Sequence, residues 1–350
     1  MQVTVMATPS IRVLHLAAWS IGLGVRLLLA VAFILGAGQQ ALAQQDKGPV
    51  ILKVHSLGVT AINFSPNGKT LASGDFSGTI KLWDLSTGKN TLTIPGEKGS
   101  ISSLTFNPDN KLLGSGGLHR SHPVRIWEVS SGKELRTFIS KTDVHSVTWS
   151  PDGKWLCSAD LHGNVRVWDV KTWTEVVTLN FHSGFVTTVA FSPAGKLLAS
   201  ARSDGTTIFY ESGTWKVLRI LRGHKDTVTS LAFPADGKSL ASRSADGTVK
   251  LWEVATGKEL ASLEVETPED GGSKAMAISA DGRLLATGNW NGPISLWDMP
   301  SRKKVLSLEG HTEFVPDVAF SPNGKLLASA SHDGTVRLWD LSMLGKAKDK

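Results

Sequence analysis

A tryptophan followed by an acidic residue recurs along this chain at an almost constant interval. The positions are Trp83, Trp127, Trp168, Trp252, Trp297 and Trp339, and Tyr210 before Glu211 fills the one remaining place. Successive separations are 44, 41, 42, 42, 45 and 42 residues. A period of about 40–45 residues is typical of a four-stranded unit that must stack on copies of itself to bury its faces. The sequence therefore predicts seven copies of one unit.

Turn signals divide each unit into short strands. Residues 65–69 and 321–325 both read Ser-Pro-Asn-Gly-Lys, in which proline presets φ, asparagine bonds its own backbone and glycine adopts the left-handed conformation. Runs without a helical period, such as 326–331 and 335–339, lie between the turns. The 35 glycines fit this pattern of many tight turns. Each unit is predicted to be an antiparallel sheet, and the chain to be all-β, a single seven-bladed β-propeller.

The two ends of the repeat region complement each other. The chain after Trp339 lacks a fourth strand, whereas residues 49–55 resemble the fourth strands expected at 134–139 and 216–221. We predict that this N-terminal strand completes the seventh unit and closes the ring, because the pairing removes both free sheet edges. The predicted organisation is a leader at 1–43, a propeller at 44–345 and a basic C-terminal tail at 346–350.

The repeats resemble those of the WD-repeat (WD40) family over residues 50–342. Two units carry the resemblance most clearly, because a Gly-His pair opens them and a Trp-acid pair ends them: Gly223-His224 with Trp252-Glu253, and Gly310-His311 with Trp339-Asp340. The resemblance implies a structural hydrogen-bond network of His, Ser, Asp and Trp within a blade. Three units match its spacing, one of them with tyrosine for tryptophan: His224, Ser242, Asp246 and Trp252; His311, Ser329, Asp333 and Trp339; His182, Ser200, Asp204 and Tyr210.

The other four units depart from this network. The first has His55, Ser73 and Trp83 but carries Ser77 where the aspartate belongs. The second, third and sixth units lack an aligned histidine and have other residues at the aspartate position: Ser121, His162 and Asn291. We expect packing to hold the second, third and sixth units together.

The first 43 residues have a different composition from the rest. They contain no acidic residue, carry Arg12 and Arg26, continue into an apolar run at 27–35 and end in Ala41-Leu42-Ala43. This pattern predicts a secretory signal peptide cleaved after Ala43, so that the protein is exported to the periplasm or secreted. The alternatives are an uncleaved membrane anchor and a buried core helix.

No catalytic or metal-binding constellation emerges from the sequence. The His, Ser and Asp set recurs in three units, whereas a catalytic triad is a single asymmetric arrangement. Cys157 is the one cysteine, which excludes an intrachain disulfide and a cysteine-based metal site, and it takes a place where other units have core alanine. His119 and His122 could ligate a metal, but a solvated insertion is favoured because no third ligand is evident. We expect no cofactor, no metal and no enzymatic activity.

The favoured function is a non-catalytic platform for protein partners, as the family resemblance implies. The alternative is an exported propeller that binds or processes a sugar or cofactor in its central channel. We expect a partner-binding rim where two kinds of loop position meet. One is the turn residue seven before each tryptophan, or its tyrosine equivalent, and the other is the loop residue three after each leading histidine. From these positions we single out Phe76, Arg120, Leu161, Phe185, Trp290, Phe314 and His332. A competing interpretation is that some of these rings plug the channel.

The charge distribution limits the expected partners. The net charge is +6, without a basic block outside the short C-terminal tail. Nucleic-acid binding favours a basic stripe with interleaved aromatics, which the linear sequence does not show. We therefore expect other proteins as partners, no nucleic acid, no membrane unless the leader stays uncleaved, and a monomer.

Overall fold

The computed structural model describes residues 48–53, 55–96, 99–118, 123–180, 184–265, 275–342 and 344. These residues form 28 strands in seven antiparallel four-stranded sheets. No helix long and apolar enough to cross a membrane occurs within these ranges. The predicted all-β class and the seven-bladed β-propeller are confirmed. The predicted leader and the basic tail lie outside the described residues.

The first strand of the chain belongs to the last blade. Strand β1 (Val50–Lys53) pairs antiparallel with β28 (Thr335–Asp340), which continues through β27 (Leu326–Ala330) to β26 (Asp317–Phe320). Val50 lies opposite Leu338, and Lys53 lies opposite Thr335. The predicted closure by an N-terminal strand is therefore confirmed, although the strand itself is shorter than the span of 49–55 expected from the sequence.

Consecutive strands pair in the other six blades. Blades 1, 2 and 3 are built from β2 (Val59–Phe64), β3 (Thr70–Asp75), β4 (Ile80–Asp84) and β5 (Lys89–Ile94); β6 (Ser100–Phe106), β7 (Leu112–Leu118), β8 (Pro123–Glu128) and β9 (Glu134–Ile139); and β10 (Val144–Trp149), β11 (Trp155–Asp160), β12 (Val165–Asp169) and β13 (Thr174–Leu179). Blades 4, 5 and 6 are built from β14 (Val186–Phe191), β15 (Leu197–Arg202), β16 (Thr207–Glu211) and β17 (Val217–Leu221); β18 (Val228–Ala232), β19 (Ser239–Ser244), β20 (Thr248–Glu253) and β21 (Glu259–Glu264); and β22 (Met276–Ile278), β23 (Leu284–Gly288), β24 (Ile294–Asp298) and β25 (Lys303–Leu308).

The turn between the first and second strands follows from its sequence. In blade 1 the Ser65 hydroxyl donates to Asn67 Oδ1 over 2.8 Å, and the Lys69 N–H donates to the same oxygen over 3.0 Å. Gly68 takes a φ of 67°, which costs glycine less than any residue with a Cβ atom. Asn323 holds the corresponding turn of blade 7 in the same way.

The core lies between neighbouring blades. Where blades 7 and 1 meet, Leu52 of the closing strand packs in one cluster with Val59, Trp83 and Val336. Between blades 3 and 4, Cys157 is fully buried in a cluster that includes Tyr210. Burial raises the pKa of the Cys157 thiol, so the thiolate form is disfavoured.

The loops and turns lie at two opposite ends of the ring. At one end, inter-blade loops meet the turns between second and third strands, as where the Phe76 N–H donates to the Gly58 carbonyl over 3.1 Å. At the other end, the two remaining kinds of turn meet, as where the Leu85 N–H donates to the Lys69 carbonyl over 3.0 Å. We call the first end the rim face and the second end the base face.

Candidate functional site

One backbone hydrogen bond recurs along the rim face and positions the predicted rim residues. In each case the N–H of a turn residue seven before the blade's Trp or Tyr donates to a carbonyl in the preceding inter-blade loop. The pairs and their N···O distances are Phe76 to Gly58, 3.1 Å; Leu161 to Asp143, 3.1 Å; Ser203 to Phe185, 3.1 Å; Ala245 to Thr227, 2.9 Å; and His332 to Phe314, 2.9 Å. The two sets of positions chosen from the sequence thus lie side by side.

Four aromatic side chains form a continuous series across blades 6, 7 and 1. The ring centroids of Trp290 and Phe314 are 4.9 Å apart, those of Phe314 and His332 are 5.0 Å apart, and those of His332 and Phe76 are 4.8 Å apart. The interplanar angles of 37°, 86° and 59° range from tilted to edge-on. Such geometries suit the quadrupoles of aromatic rings. We call these four residues the aromatic arc.

The ends of the aromatic arc are open to solvent. Trp290 is 48% exposed and Phe76 is 44% exposed, while Phe314 and His332 are half-buried between them. Gly58 lies under the arc, because a Cβ atom there would be 2.9 Å from His332 Cα and 3.0 Å from Phe76 Cε2. The backbone of blade 1 can approach the arc this closely only with glycine at that position.

His332 is neutral at pH 7. Burial lowers the pKa of its imidazole, and the nearby carboxylate of Glu313 opposes that shift. The arc therefore presents a largely uncharged aromatic surface with a carboxylate at its side.

The other predicted rim residues do not join the arc. Leu161, on blade 3, is 37% exposed, and Phe185, at the start of blade 4, stacks on His145 with centroids 6.2 Å apart. Arg120, the remaining predicted rim residue, lies outside the described residues. Four of the described rim residues thus form one group, and Leu161 and Phe185 lie on blades 3 and 4 without joining it.

A further large apolar residue lies on the rim face and was not predicted from the sequence. Leu57 is 48% exposed, and its carbonyl oxygen lies 3.8 Å from where a Cβ of Gly334 would be. The rim positions were taken as the third residue after each leading histidine, which in blade 1 is Gly58. Leu57 is the second residue after His55, so this rule did not select it. The sequence could have indicated Leu57, because it is a large apolar residue in a segment that lacks the alternation of a strand.

The network of blade 7 has the geometry that the family resemblance implies. His311 Nδ1 is 2.8 Å from Asp333 Oδ2, His311 Nε2 is 2.7 Å from Ser329 Oγ, and the Trp339 indole N–H donates to Ser329 over 2.9 Å. Blade 5 repeats these contacts at 3.0, 2.7 and 2.7 Å with His224, Asp246, Ser242 and Trp252.

The pKa shifts in blade 5 reflect this geometry. Burial would raise the pKa of Asp246, but hydrogen bonds from Thr248, Lys225 and His224 outweigh it and lower the pKa to about 2. Burial lowers the pKa of His224 despite the attraction of Asp246. A neutral imidazole facing a carboxylate is therefore the stable pair at pH 7.

Blade 1 corrects the sequence analysis. Ser77 does not leave the network without a carboxylate, because Asp75, two residues earlier, has its Oδ2 2.8 Å from His55 Nδ1. Asp75 Oδ1 meanwhile accepts from the Ser77 hydroxyl over 2.6 Å. His55 and Trp83 both reach Ser73, over 2.7 and 2.8 Å. The network of blade 1 is complete because Asp75, at the end of the second strand, reaches the histidine just as the turn aspartates do in blades 5 and 7.

Blade 4 differs from blades 5 and 7. Asp204 Oδ2 is 2.9 Å from Arg202 Nη2, an ion pair that the sequence analysis did not consider. Ser200 and Tyr210 are both fully buried, and burial raises the pKa of Tyr210 to about 12 against a hydrogen bond with Ser200. His182 lies outside the described residues.

Blades 2 and 6, which lack the histidine and the aspartate of the network, keep the hydrogen bond of the tryptophan indole N–H. Trp127 donates to Ser115 over 2.9 Å, and Trp297 donates to Thr287 over 3.1 Å.

The serines of these networks are poorly placed for nucleophilic chemistry. Ser73, Ser242 and Ser329 have no exposed surface. Each oxygen accepts the tryptophan N–H, so its proton goes to the histidine Nε2, and Nδ1–H faces the aspartate. Every donor and acceptor is engaged inside the blade. No group of three or more potential metal ligands occurs in the described ranges, and His119 and His122 fall outside them.

Known proteins are similar to this chain over part of its length. "Small ribosomal subunit protein RACK1y" of Oryza sativa subsp. japonica is 28% identical over 120 residues, 34% of this chain and 35% of that protein. "MST50-interacting protein 11" of Pyricularia oryzae is 28% identical over 126 residues, 35% of this chain and 39% of that protein. "Periodic tryptophan protein 2 homolog" of Schizosaccharomyces pombe is 31% identical over 114 residues, 32% of this chain and 13% of that protein. The chain thus matches less than two fifths of the length of these relatives.

A family profile matches much more of the chain. The family described as "WD domain, G-beta repeat" matches residues 49–84, 88–127, 132–169, 173–211, 215–253 and 302–340. The unmatched interval 254–301 contains most of blade 6, which nevertheless forms its four-stranded sheet. Because the matched segments cover more than half of the sequence and the blades repeat one strand order, the chain belongs to the WD40 family.

Proposed function

We propose that the protein is a non-catalytic scaffold that binds another protein through the aromatic arc. The observation that carries this proposal is the continuous series of Trp290, Phe314, His332 and Phe76, whose outer members are nearly half exposed. Large aromatic side chains that stay exposed together are typical anchors of protein interfaces. Phe76, Trp290 and His332 lie in tight turns, and the carbonyl of Phe314 accepts the His332 N–H over 2.9 Å, so a partner has little backbone to order on binding.

The names of two relatives support an interaction role. One is described as a protein of the small ribosomal subunit and another as an interacting protein of MST50. Both names describe proteins that associate with other macromolecules. Since the similarity covers about a third of this chain, it supports the class of function and says nothing about the partner.

The chemistry of the blades favours a scaffold over an enzyme. The recurrent His, Ser and Asp sets use their hydrogen-bonding groups within the blade, and their serines are buried. A catalytic serine needs an accessible hydroxyl beside a base and an oxyanion site. The described networks therefore serve stability.

We also propose that the protein works outside the cytoplasm, on the basis of the acid-free leader and the sequence Ala41-Leu42-Ala43. Expression in a secreting bacterium should yield a chain that begins at or near Gln44. N-terminal sequencing of the extracytoplasmic fraction tests this, and an intact Met1 on soluble cytoplasmic protein would contradict it.

The binding proposal is tested by capture with wild-type and variant proteins, followed by rebinding of the purified partner. Trp290→Ala and Phe314→Ala should abolish capture while the melting temperature stays almost unchanged. Lys225→Ala, which alters an exposed rim residue on blade 5, is the matched control and should bind like wild type. If both arc variants melt early, or if the partner still binds them, the arc is not the binding site.

A further inference from the structure

Seven exposed cations form a ring on the base face. Every turn between a first and a second strand ends with a lysine or arginine, at separations of 42 to 45 residues along the chain. All seven are exposed: Lys69, Lys111, Lys154, Lys196, Lys238, Arg283 and Lys325. These side chains lie too far apart in sequence to register as a basic segment, and only ring closure brings them onto one surface.

The same backbone contact fixes the position of each cation. In all seven blades the backbone carbonyl of the lysine or arginine accepts the N–H of the second residue after the blade's Trp or Tyr, over 2.8 to 3.0 Å. The donor residues are Leu85, Val129, Val170, Ser212, Val254, Met299 and Leu341. In six blades an aspartate or asparagine side chain also holds the N–H of the cation residue itself. One turn geometry repeated around a ring places the cations at one level.

Carboxylates on the base face offset these cations only in part. The turns that carry the cations contain four aspartates, Asp109, Asp152, Asp236 and Asp281, each of which accepts a backbone N–H of its own turn. The acidic residue after each Trp or Tyr is followed within five residues by a lysine or arginine in six blades. The cation ring therefore gives this face an excess of positive charge.

The rim face has the opposite balance. Among its described loops and turns the carboxylates are Asp143, Asp204, Asp226, Asp246, Glu309, Glu313 and Asp333, and the cations are Lys141, Arg222 and Lys225. The two ends of the ring thus differ in sign of charge as well as in aromatic content. A flat anionic surface would attract the base face and repel the rim face.

Both ends of the described chain lie on the base face. Val50 pairs with Leu338 near the end of β28, so the start of β1 lies at this end of blade 7. The Leu341 N–H donates to the Lys325 carbonyl over 2.8 Å, so Leu341 lies beside a cation of the ring.

We propose that the base face docks on an anionic phospholipid bilayer and leaves the rim face turned away from it. A planar ring of cations can meet many headgroups at once, and each lysine near such a surface adds to the attraction. A nucleic acid is less suited, because single strands bind along a continuous track or groove, whereas these cations form a closed ring. This goes beyond the scaffold function, and it departs from our expectation of no membrane contact for a chain without its leader.

Vesicle sedimentation tests the proposal with a chain that begins at Gln44, which contains every strand of the ring and lacks the apolar run. The protein should bind vesicles of phosphatidylcholine mixed with phosphatidylglycerol in about 0.05 M salt, and should be released when the salt is raised to about 0.5 M, where charges are screened. It should not bind vesicles of phosphatidylcholine alone. Equal binding to both kinds of vesicle would overturn the proposal.

A matched pair of triple variants assigns the binding to one face. K69E/K196E/K238E reverses three cations of the base face, and K141E/R222E/K225E makes the same change of charge on the rim face. The base-face variant should lose at least tenfold in vesicle partitioning, and the rim-face variant should stay within about twofold of wild type. Unchanged melting temperatures establish that both variants fold.

Three further outcomes would overturn the proposal. Equal losses in the two variants would mean that net charge alone drives the binding, and no loss in either would exclude the base face. Binding to single-stranded DNA that depends on the base face, without vesicle binding, would identify a nucleic acid as its partner. Because partner capture through the aromatic arc uses the other face, either proposal can fail while the other stands.

Discussion

Blades 6 and 7 are neighbours with the same strand order but different means of support. Blade 7 contains a full network in which His311 contacts both Asp333 and Ser329. The described part of blade 6, residues 275–308, contains no histidine and keeps only the bond from Trp297 to Thr287. Its first strand, β22, has three residues. Both nevertheless form four-stranded sheets, so the network is not required for the fold of a blade.

Blade 6 is held by contacts from both neighbours. From blade 5, the fully buried Arg243 donates to the carbonyls of Ala275 and Gly288 over 2.7 and 3.1 Å. Burial lowers the pKa of Arg243 to about 10, so it is still charged at pH 7. From blade 7, the backbone of His311 packs against Gly292 in the rim turn of blade 6. A blade without its own network is thus supported by side chains and backbone of adjacent blades.

The largest expected effect comes from removing the strand that blade 7 takes from the far end of the chain. Deletion of residues 49–55 leaves β28 with an unpaired edge and removes Leu52 from the core between blades 7 and 1. We expect aggregation or loss of most of the folding stability, measured by thermal melting and size-exclusion chromatography. Removal of residues 346–350 is the control and should have almost no effect. Equal stability of the two truncations would refute the closure register.

A pair of glycine substitutions compares the rim turns of the two blades. A Cβ atom at Gly292 would lie against the His311 carbonyl oxygen and 2.7 Å from its carbonyl carbon, whereas one at Gly334 would be 3.2 Å from the His55 oxygen. Both glycines have positive φ, 104° and 78°, so alanine strains the backbone at each, by about 1–2 kcal/mol. Gly292→Ala should add a clash and cost about 3 kcal/mol or more in unfolding free energy, measured by denaturant titration. Equal costs would show that the turn of blade 6 does not depend on blade 7.

Aspartate substitutions measure what the network adds where it exists. Asp333→Ala in blade 7 and Asp75→Ala in blade 1 each leave a buried histidine without its acceptor, at a cost of about 1–3 kcal/mol. Asn291→Ala, at the aligned exposed position of blade 6, should change stability by less than about 0.5 kcal/mol. Ser77→Ala should cost less than Asp75→Ala because Ser77 only supports the carboxylate. Similar melting temperatures for all four variants would show that the network is misassigned.

The sequence predicted the features that repeat and missed those that arise between repeats. The tryptophan interval and the turn signals were enough for seven blades and for closure by the N-terminal strand. The aromatic arc could be anticipated because Trp290 and His332 occupy equivalent turn positions in consecutive units. Asp75 was missed because a fixed spacing from Trp83 does not show that a carboxylate two residues earlier can reach the same histidine. Arg243 was missed because its hydrogen-bond partners belong to the next blade.

The smallest expected effect is a histidine-based dependence of stability on pH that blade 7 has and the described part of blade 6, which contains no histidine, lacks. Burial lowers the pKa of His311 below the ordinary histidine value of 6.5, so below that pH the unfolded chain binds a proton that the folded chain resists. Stability from this group is complete above pH 6.5 and is lost as the pH falls toward the lowered folded pKa. Asp333, whose pKa is also lowered, acts in the same direction but only below about 3.8.

Between pH 7 and pH 5 the histidine should therefore dominate the change in blade 7. A single group can contribute at most about 1.4 kcal/mol per pH unit. His311→Gln should flatten the pH dependence of the unfolding free energy in this window, even though the variant is less stable at every pH. His162→Gln, which replaces an exposed histidine in the rim turn of blade 3, is the matched control. A slope that is unchanged in His311→Gln would mean that other groups cause the acid sensitivity, and that the neutral imidazole contributes nothing to the difference between the two blades.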